Sequence, residues 1–468
     1  MTGAPERDPI GRGDALRLVV DAWRATRGGR AAVLARQRAR LAAQIAFARS
    51  ASPYYRAHYR DVRPAADTVG VLPVTDKRAL MHDFDAWVTD PEVRHADLRR
   101  FVEQPGLVGT PFLTRYTVAT TSGTTGQRGI FLIDRRSHAV TSAMMVRMLR
   151  DWLSAADLLR IARRRRLAMI NAMGGHFASA VAATRLTRTG TKRVAVYPVD
   201  LPVHEIVAGL NRFQPAVLAS YASMAALLAT EQEAGRLDLD PVVVVLSAEG
   251  VPLREQRRIA TAFGATVRDS YAATECPFLS YRCAEGWLPV NNDWVIAEPV
   301  DADRRPVAPG TQSHTVLLTN LANRIQPILR YDLGDRVIER EDPCPCGSPL
   351  QAIRVQGRTA DTLMLPTGNG AHVPLPPLLL AVLPERVAGL EAVQVLQAEP
   401  ETLRVRVRIK DGAAVEPTWD LLAAELAHLL EARGASGVRV VRAQEPPELT
   451  VGGKLRIVIP FEPQTPTS

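Results

Sequence analysis

Residues 120–129 combine hydroxyl side chains with glycines, the residue types that commonly surround a bound phosphate group. Their sequence is Thr-Thr-Ser-Gly-Thr-Thr-Gly-Gln-Arg-Gly, and short apolar segments flank it on both sides. Residues without bulky side chains let successive backbone N–H groups converge on one anion, and the hydroxyl groups add further donors. The spacing differs from the G-x-x-x-x-G-K-[ST] pattern of P-loop NTPases. The stretch therefore predicts an anion-binding loop between two strands, with a flexible polar loop as the alternative.

Further polar motifs follow predicted strands later in the chain. They are Ser-Ala-Glu-Gly at 247–250, Ser-Tyr-Ala-Ala-Thr-Glu at 270–275, Arg-Tyr-Asp-Leu-Gly-Asp at 330–335, Gln-Gly-Arg-Thr-Ala-Asp at 356–361 and Gly-Gly-Lys-Leu-Arg at 452–456. Taken singly, each motif is compatible with ordinary turn or capping chemistry. Chance rarely produces the whole set in this order and spacing, so we interpret the motifs as parts of one site.

Helical and extended patterns alternate between residues 135 and 269. Helices are predicted at 135–152, 177–186, 204–213, 223–234 and 253–263, and strands at 167–171, 193–199, 216–219, 242–246 and 266–269. This alternation predicts an α/β fold, a mainly parallel sheet covered by helices, with binding residues at the carboxyl ends of its strands. Apolar residues at helical spacing over residues 14–50 predict a helical N-terminal layer.

The chain of 468 residues is long enough to bury a large core and to form more than one domain. It has no secretory leader pattern and no run of about 18 apolar residues, so we expect a cytoplasmic protein without a membrane partner. The net charge of +9 comes mainly from scattered arginines, with one block at residues 163–166 that we interpret as a solvated face. Because no nucleic-acid motif is recognisable, we expect anionic small molecules as partners and no nucleic acid.

In order and spacing, the motifs resemble those of acyl-adenylate-forming enzymes, and most closely those of the phenylacetate-CoA ligase branch. The resemblance covers residues 54–460, which is nearly the whole chain. It implies a large N-terminal domain with the adenylate-forming enzyme fold over residues 1–358, followed by a small, mobile α+β domain over residues 359–463 and a disordered tail at 464–468. In the small domain, helices are predicted at 375–383 and 419–433, and strands at 393–397, 403–409 and 437–441.

The resemblance also implies roles for individual residues. The ATP phosphates would be held by Thr121, Ser122, Gly123, Thr124, Thr125 and Gly126. The adenine would be surrounded by Ser247, Ala248, Glu249, Gly250, Ser270, Tyr271, Ala272 and Thr274, with the ring of Tyr271 stacked on it. Asp335 would accept hydrogen bonds from the ribose hydroxyls, and Arg358 would reach the ribose and phosphate region. Catalysis would fall to Lys454, Thr125 and Glu275, with Glu275 as a ligand of Mg²⁺.

The implied reaction is ATP-dependent activation of a carboxylic acid to an acyl-adenylate with release of pyrophosphate. Transfer to CoA would then give an acyl-CoA thioester and AMP. The acid, expected to be aromatic, would be bound by His176, Phe177, Tyr221 and Tyr271, although a histidine beside a glycine turn is often structural. Two alternatives stay open: transfer to a carrier-protein thiol, an amine or a hydroxyl, and a relative that binds nucleotide without turnover. A homodimer is also left open.

Two positions depart from the family pattern. Arg128 stands where a proline is common, and Ala360 stands at the hinge position, where an aspartate or a lysine is usual. The second difference leaves the hinge residue open, with Asp361 adjacent to it.

All the cysteines lie between residues 276 and 346. Because disulfides are rare in the cytoplasm, Cys276, Cys283, Cys344 and Cys346 are candidate ligands of a structural zinc ion. Relatives in the family have a histidine after the upstream cysteine, where this chain has Pro289, so Cys276 would have to serve as the fourth ligand. Buried cysteines without metal are the alternative.

Overall fold

The computed structural model describes residues 12–62, 69–121, 129–171, 175–188, 192–199, 201–247, 253–358, 363–367, 372–375, 380, 383–431, 434–448 and 455–461. The chain divides into two compact units. The first comprises Met1–Leu333 and Ile338–Arg354, and the second comprises Gly334–Val337 and Val355–Ser468. The chain thus passes briefly into the second unit at Gly334–Val337 and enters it again at Val355, inside a strand.

The helices of the first unit are α1 (Arg12–Arg27), α2 (Gly29–Ala51), α3 (Pro53–His58), α4 (Lys77–His82), α5 (Phe84–Trp87), α6 (His95–Val102), α7 (Arg135–Trp152), α8 (Ala155–Arg164), α9 (Ala178–Arg188), α10 (Val203–Phe213), α11 (Ala222–Glu233) and α12 (Leu253–Phe263). Its strands are β1 (Thr117–Thr120), β2 (Ile130–Ile133), β3 (Leu167–Asn171), β4 (Val194–Pro198), β5 (Val217–Tyr221), β6 (Val243–Ser247), β7 (Thr266–Ala273), β8 (Cys276–Tyr281), β9 (Leu288–Pro289), β10 (Val295–Val300), β11 (Thr315–Asn320) and β12 (Ile328–Asp332). Strands β13 (Asp335–Glu339) and β14 (Ala352–Arg358) contain the points where the chain passes between the units. The second unit adds β15 (Leu363–Pro366), β16 (His372–Leu375), α13 (Leu383–Arg386), β17 (Leu390–Glu399), β18 (Thr402–Ile409), α14 (Val415–Glu431), β19 (Arg439–Arg442) and β20 (Val458–Ile459).

A six-stranded sheet with the order β4-β3-β5-β6-β7-β8 forms the centre of the first unit. The first five strands in this order run parallel to one another, and β8 returns antiparallel to β7. Helices α9 to α12 make the crossovers between consecutive strands, and the apolar faces of α10 to α12 pack on buried aliphatic residues of β3, β5 and β6. The α/β class predicted from the alternating pattern is confirmed, because parallel strands covered by helices read as short apolar runs.

Most elements predicted in this region are present with small shifts at their ends, but α8 was not predicted. Its first turn is held by a capping box, in which Ser154 accepts a hydrogen bond from the backbone of Asp157 and Asp157 accepts one from the backbone of Ser154. Only Leu158 and Ile161 of this helix pack on the small cluster around Trp152. The arginine block that follows obscures this short apolar spacing in the sequence.

The helical N-terminal layer is present as α1 and α2, and it contacts the body through apolar and polar groups. Ala25 and Val33 pack with Leu350, and Nη2 of Arg147 donates to the carbonyl of Ala22 at 3.0 Å. On α7, Arg147 forms a bidentate pair with Asp293, with Nη1–Oδ1 and Nη2–Oδ2 distances of 2.8 Å. Arg40 of α2 donates to the backbone oxygen of Asp293 at 2.6 Å and stacks on Trp294, 3.6 Å from the ring centroid. Because Asp293 is fully buried, the two guanidinium groups compensate a charge that would otherwise be costly there.

The second unit is built on a four-stranded sheet with the order β19-β18-β17-β20, and Leu422, Leu426 and Leu430 of α14 contribute to the core beside it. The strands and the long helix predicted there are present. The helix predicted at residues 375–383 is confirmed at Leu380 and Leu383, whereas Leu375 pairs with Leu363 as the end of strand β16. Residues 376–379 and 381–382 of that prediction lie outside the described residues. Among the helices in the described ranges, none combines the length and apolar character that crossing a bilayer requires.

Candidate active site

The predicted phosphate-binding motif begins at the end of β1 and ends just before β2, and these two strands form a hairpin. The strands pair in register from Thr117 opposite Ile133 to Thr120 opposite Ile130. Beyond them, the backbone N–H of Thr121 donates to the carbonyl of Gly129 at 3.0 Å, and the N–H of Gly129 donates to Oγ1 of Thr121 at 2.9 Å. These bonds close the base of the loop. The predicted phosphate-binding residues Ser122, Gly123, Thr124, Thr125 and Gly126 lie outside the described residues.

Gly129 leaves no room for a side chain at the base of this loop. A Cβ atom there would lie 2.7 Å from the ring of Phe131 and 3.2 Å from Cδ of Lys77. Lys77 is the first residue of α4, whose N-cap Asp76 accepts a hydrogen bond from the backbone of Ala79. The side chain of Lys77 therefore lies at the base of the predicted phosphate-binding loop. The sequence did not predict this contact, because 52 residues separate Lys77 from Gly129.

The segment predicted to bind the acid lies directly beside this hairpin. The backbone N–H of Thr120 donates to the carbonyl of His176 at 2.6 Å, and Thr120 forms a parallel bridge with Phe177. His176 is 1% exposed, and its ring centroid lies 5.3 Å from that of Phe101 on α6. The structure thus brings together two segments that are more than 40 residues apart in sequence, the predicted phosphate-binding motif and the acid-binding candidate.

The ends of β5 and β6 place two further predicted residues side by side. Tyr221 is the register partner of Ser247, and Oγ of Ser247 donates to the carbonyl of Ser220 at 3.3 Å. Tyr221 is 1% exposed and packs in the core shared with α10 to α12. Ala248, Glu249 and Gly250, which follow Ser247, lie outside the described residues.

The predicted adenine-contact segment 270–274 belongs largely to a strand and not to a loop. Strand β7 was expected to end at residue 269, but it continues to Ala273. It does so because β8 folds back on it, pairing Tyr271 with Ser280 and Ala273 with Cys276. Ser270 and Tyr271 are therefore half-buried strand residues, Ala272 is exposed, and Thr274 lies in the turn.

Glu275 ends that turn in a buried position, 7% exposed. The hydroxyl of Tyr331 donates to its Oε1 at 2.8 Å, and Nδ2 of Asn320 donates to its backbone oxygen at 2.9 Å. Burial, and then the Glu275 carboxylate, raise the pKa of Tyr331 well above its ordinary value, so the phenol stays a proton donor. Sequence reasoning named Glu275 but not Tyr331, although the Arg-Tyr-x-x-Gly-Asp motif contains it.

Backbone contacts hold Tyr331 in place. The N–H of Thr75 donates to the carbonyl of Arg330 at 3.0 Å, and the N–H of Asp332 donates to the carbonyl of Thr75 at 2.8 Å. The ring of Tyr331 packs edge-on against Phe131, with centroids 6.4 Å apart. Because Phe131 belongs to β2, its contact with Tyr331 connects the β1–β2 hairpin to the Tyr331–Glu275 pair.

The remaining predicted nucleotide and catalytic residues are only partly described. Asp335 is 5% exposed and begins β13 directly after Gly334, whose φ of +74° favours glycine. Arg358 ends β14, and its side chain lies outside the described part of the chain. Lys454 also lies outside it.

Three of the cysteines form a compact group. The Sγ atoms of Cys283, Cys344 and Cys346 all lie within 4.8 Å of one another, and those of Cys283 and Cys344 are 3.7 Å apart. Burial raises the pKa of the Cys346 thiol to about 12, helped by hydrogen bonding to Cys344 and the charge of Cys283. Cys276 is fully buried on β8 and does not belong to this group. The structure thus does not support Cys276 as the fourth ligand, because its place in the β7–β8 hairpin separates it from the other thiols.

No protein-family model and no curated protein matches this chain in sequence. Its structure resembles that of 2-hydroxyisobutyryl-CoA ligase in the postadenylation state in complex with R3-HIB-AMP, with a TM-score of 0.65 and 19% identity over 92% of this chain and 89% of that chain. It also resembles the anthranilate CoA ligase AuaEII in complex with anthranoyl-AMP, with a TM-score of 0.52 and 15% identity over 72% of this chain and 64% of that chain. A third similar structure is the amide bond synthetase McbA from Marinactinospora thermotolerans, with a TM-score of 0.51 and 16% identity over 72% of this chain and 66% of that chain. These similarities confirm the predicted fold, which is that of the adenylate-forming enzymes.

Proposed function

We propose that this protein activates a carboxylic acid with ATP, releasing pyrophosphate, and transfers the acyl group of the resulting acyl-adenylate to CoA. The observation that carries the proposal is the hydrogen bond between Thr120 and His176, which joins the phosphate-like hairpin to the candidate acid-binding segment. A carboxylate must approach the α-phosphorus of ATP for adenylation, so the two binding regions have to be neighbours. Similar solved structures that contain acyl-adenylates support the same reaction class.

Glu275 is the residue of the described chain that best fits a magnesium ligand in this site. Mg²⁺ prefers oxygen ligands and is usually bound through one or two carboxylates together with substrate phosphates. Glu275 offers such a carboxylate on a rigid turn, oriented by Tyr331. When bound, the ion would neutralise charge on the ATP phosphates. Asp335 would hold the ribose, while the acid would lie against His176, Phe177, Tyr221 and Tyr271.

The experiment that tests the proposal is ATP–pyrophosphate exchange over a panel of aromatic and aliphatic acids, followed by product analysis with and without CoA. Exchange with at least one acid, and a thioester when CoA is added, is the expected result. No exchange with any acid by a protein that still binds ATP would favour a nucleotide-binding relative without turnover. We expect aromatic acids to be preferred, and a preference for aliphatic acids would correct that expectation.

An amine is the alternative acceptor of the acyl group, because an amide bond synthetase has a similar fold. The amide bond synthetase McbA matches this structure with nearly the same TM-score as the anthranilate CoA ligase, 0.51 against 0.52. The shared fold therefore does not select between a thiol and an amine. Acid-dependent exchange without thioester formation, together with amide formation on adding an amine, would favour this alternative.

Asp335→Ala is expected to weaken ATP binding by about 1.5–3 kcal/mol, the range for hydrogen bonds to a charged group. The reason is the loss of a carboxylate that would accept both ribose hydroxyls. Calorimetric titration with ATP measures the change, and Asp342→Ala removes an exposed carboxylate seven residues further along the chain as the control. An unchanged affinity in a folded Asp335→Ala protein would exclude Asp335 from the site.

Tyr331→Phe is expected to raise the Mg²⁺ concentration needed for half-maximal exchange by about tenfold, because Glu275 would lose the hydrogen bond that orients it. The matched control is Tyr116→Phe, which removes a hydroxyl that donates to Asp90 at 2.7 Å. Binding of Mn²⁺ to the protein–ATP complex, followed by electron paramagnetic resonance, gives a readout independent of turnover. Equal metal affinity in both variants would limit Tyr331 to a packing role.

Purified protein is expected to contain about one zinc ion per chain, bound by Cys283, Cys344 and Cys346, because clustered thiolates favour Zn²⁺. A structural site usually has four ligands, and within the described residues this group supplies three. Cys344→Ser should lose both metal and thermal stability, whereas Cys276→Ala should retain the metal. Metal analysis without zinc, and thiols that titrate freely in the native protein, would leave only the alternative of cysteines without metal.

A further inference from the structure

The amino edge of the parallel sheet, where β4, β3 and β5 begin, carries exposed cations that the proposed reaction does not use. We call this group the amino-edge basic surface, and it consists of Arg163, Arg165, Arg166, Arg188, Lys192, Arg193 and Arg212. In the part of the chain that the structure describes, no carboxylate lies within ion-pair distance of any of them. The sequence suggested only a local arginine block, so its continuation across three strands is a tertiary feature.

Backbone hydrogen bonds place these residues in one row. The N–H of Leu167 donates to the carbonyl of Arg193 at 2.9 Å, and the N–H of Ala216 donates to the carbonyl of Arg166 at 2.9 Å. The guanidinium of Arg166 donates to the carbonyl of Phe213, the neighbour of Arg212, at 2.9 Å. The order along the edge is therefore Arg193, Arg166 and Arg212, following the strand order β4-β3-β5.

Two exposed acids, Asp238 and Asp240, lie near one end of this row, but they do not neutralise it. The N–H of Asp238 donates to Oδ1 of Asn211, the neighbour of Arg212, at 2.9 Å, so its single carboxylate offsets at most one of the seven charges. Asp240, which precedes β6, is already bound by two other arginines, Arg160 at 3.0 Å and Arg164 at 2.8 Å. These two arginines offset the charge of Asp240, so this carboxylate does not neutralise the amino-edge basic surface. The surface keeps a strong positive charge over adjacent loops, a field that attracts anions.

Helix termini explain only part of this charge. Arg188 and Arg212 lie in the last turns of α9 and α10, where a cation interacts favourably with the helix dipole. That effect falls off within one turn. Arg166, Lys192 and Arg193 lie beyond the helix ends in the connections to the strands. Their accumulation calls for another explanation.

Exposed leucines accompany the arginines. Leu159 on α8 is 50% exposed and lies one helical turn before Arg163, and Leu186 on α9 is 39% exposed and lies two residues before Arg188. Arginine and lysine beside exposed leucine suit the boundary of an anionic bilayer, where the cations meet headgroups and the leucines reach the acyl chains. Nucleic acid would instead favour aromatic side chains for stacking. Among the described residues, the large exposed aromatics, Trp23 and Phe461, belong to other elements.

We propose that the amino-edge basic surface docks on an anionic phospholipid membrane. The candidate active site lies at the carboxyl ends of the same strands, so docking through the amino edge leaves it open to substrates. Such surface binding needs no membrane-spanning segment, and it therefore adds a partner that the sequence did not predict.

The test is cosedimentation of the full-length protein with vesicles of phosphatidylcholine containing about one-third phosphatidylglycerol, an anionic fraction that attracts polybasic surfaces. The protein should sediment with these vesicles, dissociate as salt is raised, and ignore vesicles of phosphatidylcholine alone. The triple variant Arg163→Gln, Lys192→Gln and Arg193→Gln should lose about fivefold or more of this binding. Arg30→Gln, Arg257→Gln and Arg439→Gln remove the same charge from exposed positions elsewhere and should retain it.

Leu159→Ser distinguishes binding to a membrane surface from binding to other polyanions, because it leaves the charge of the protein unchanged. It should weaken vesicle binding while its thermal melting stays like that of the wild type. Equal losses for the two triple variants would overturn the proposal, since only net charge would then matter. The proposal also fails if duplex DNA binds as tightly as the vesicles and Leu159→Ser has no effect, a result that would indicate a nucleic-acid surface.

Discussion

Replacing Lys454 by alanine is expected to slow adenylation by about 10²–10³-fold, the size of the loss when one preorganised electrostatic contact to a transition state is removed. Lys454 follows two glycines near the end of the chain, and the resemblance places it where the family carries a lysine on its mobile small domain. In the adenylating orientation its ammonium would contact the carboxylate and the α-phosphate, where negative charge gathers as the acid attacks. This prediction rests on the sequence, because Lys454 lies outside the described residues.

The second half-reaction gives the sharper measurement. Movement of the small domain would withdraw Lys454 before the thiol attacks, a gating step of the hinge type. Lys454→Ala should therefore still convert synthetic acyl-adenylate and CoA into thioester at close to the normal rate. Lys410→Ala, which changes an exposed lysine in the same unit, is the control and should affect neither step. If both half-reactions fell equally, or neither fell, the two-orientation mechanism would not apply to this protein.

The second large effect is structural: Asp293→Asn is expected to lower the free energy of unfolding by about 3–5 kcal/mol, the cost of removing one partner from a buried ion pair. The side chains of Arg147 and Asp293 are 4% and 0% exposed. Burial alone would lower the pKa of Arg147, but hydrogen bonds and attraction from Asp293 outweigh it and raise the pKa. Without that carboxylate, Arg147 would remain charged although its side chain is only 4% exposed.

Urea denaturation of the wild type and variants under identical conditions measures this loss. The control is Asp303→Asn, because Asp303 pairs with Arg305 at 3.4 Å while both side chains are more than 70% exposed. That pair should contribute less than about 1 kcal/mol. The double variant Arg147→Met and Asp293→Leu should lose less than Asp293→Asn, since it leaves no unpaired charge. Equal losses for Asp293→Asn and Asp303→Asn would contradict the proposed role of the buried pair.

Local patterns predicted the elements whose signal is contained in a short window. Strand β3 and helix α7 were predicted within their observed limits, because a buried parallel strand reads as a short apolar run and an amphipathic helix repeats about every 3.6 residues. Helix α8 escaped because only Leu158 and Ile161 pack inward, beside many charges. The sequence did not predict that Tyr271 and Leu375 lie in strands, and the reason is different. Each residue becomes extended by pairing with a partner strand, and local sequence does not report pairing.

The sequence by itself determined the α/β class and the order of the motifs, because both depend on residue types at fixed spacing. The phosphate-binding loop at residues 120–129 stays a prediction from the sequence. Only the tertiary structure decided which of these residues meet. It joined Thr120 to His176, oriented Glu275 through Tyr331, placed Lys77 at the base of the loop and left Cys276 out of the thiol group. Such contacts arise between segments far apart in the chain, and they follow from strand order and packing, which no local pattern encodes.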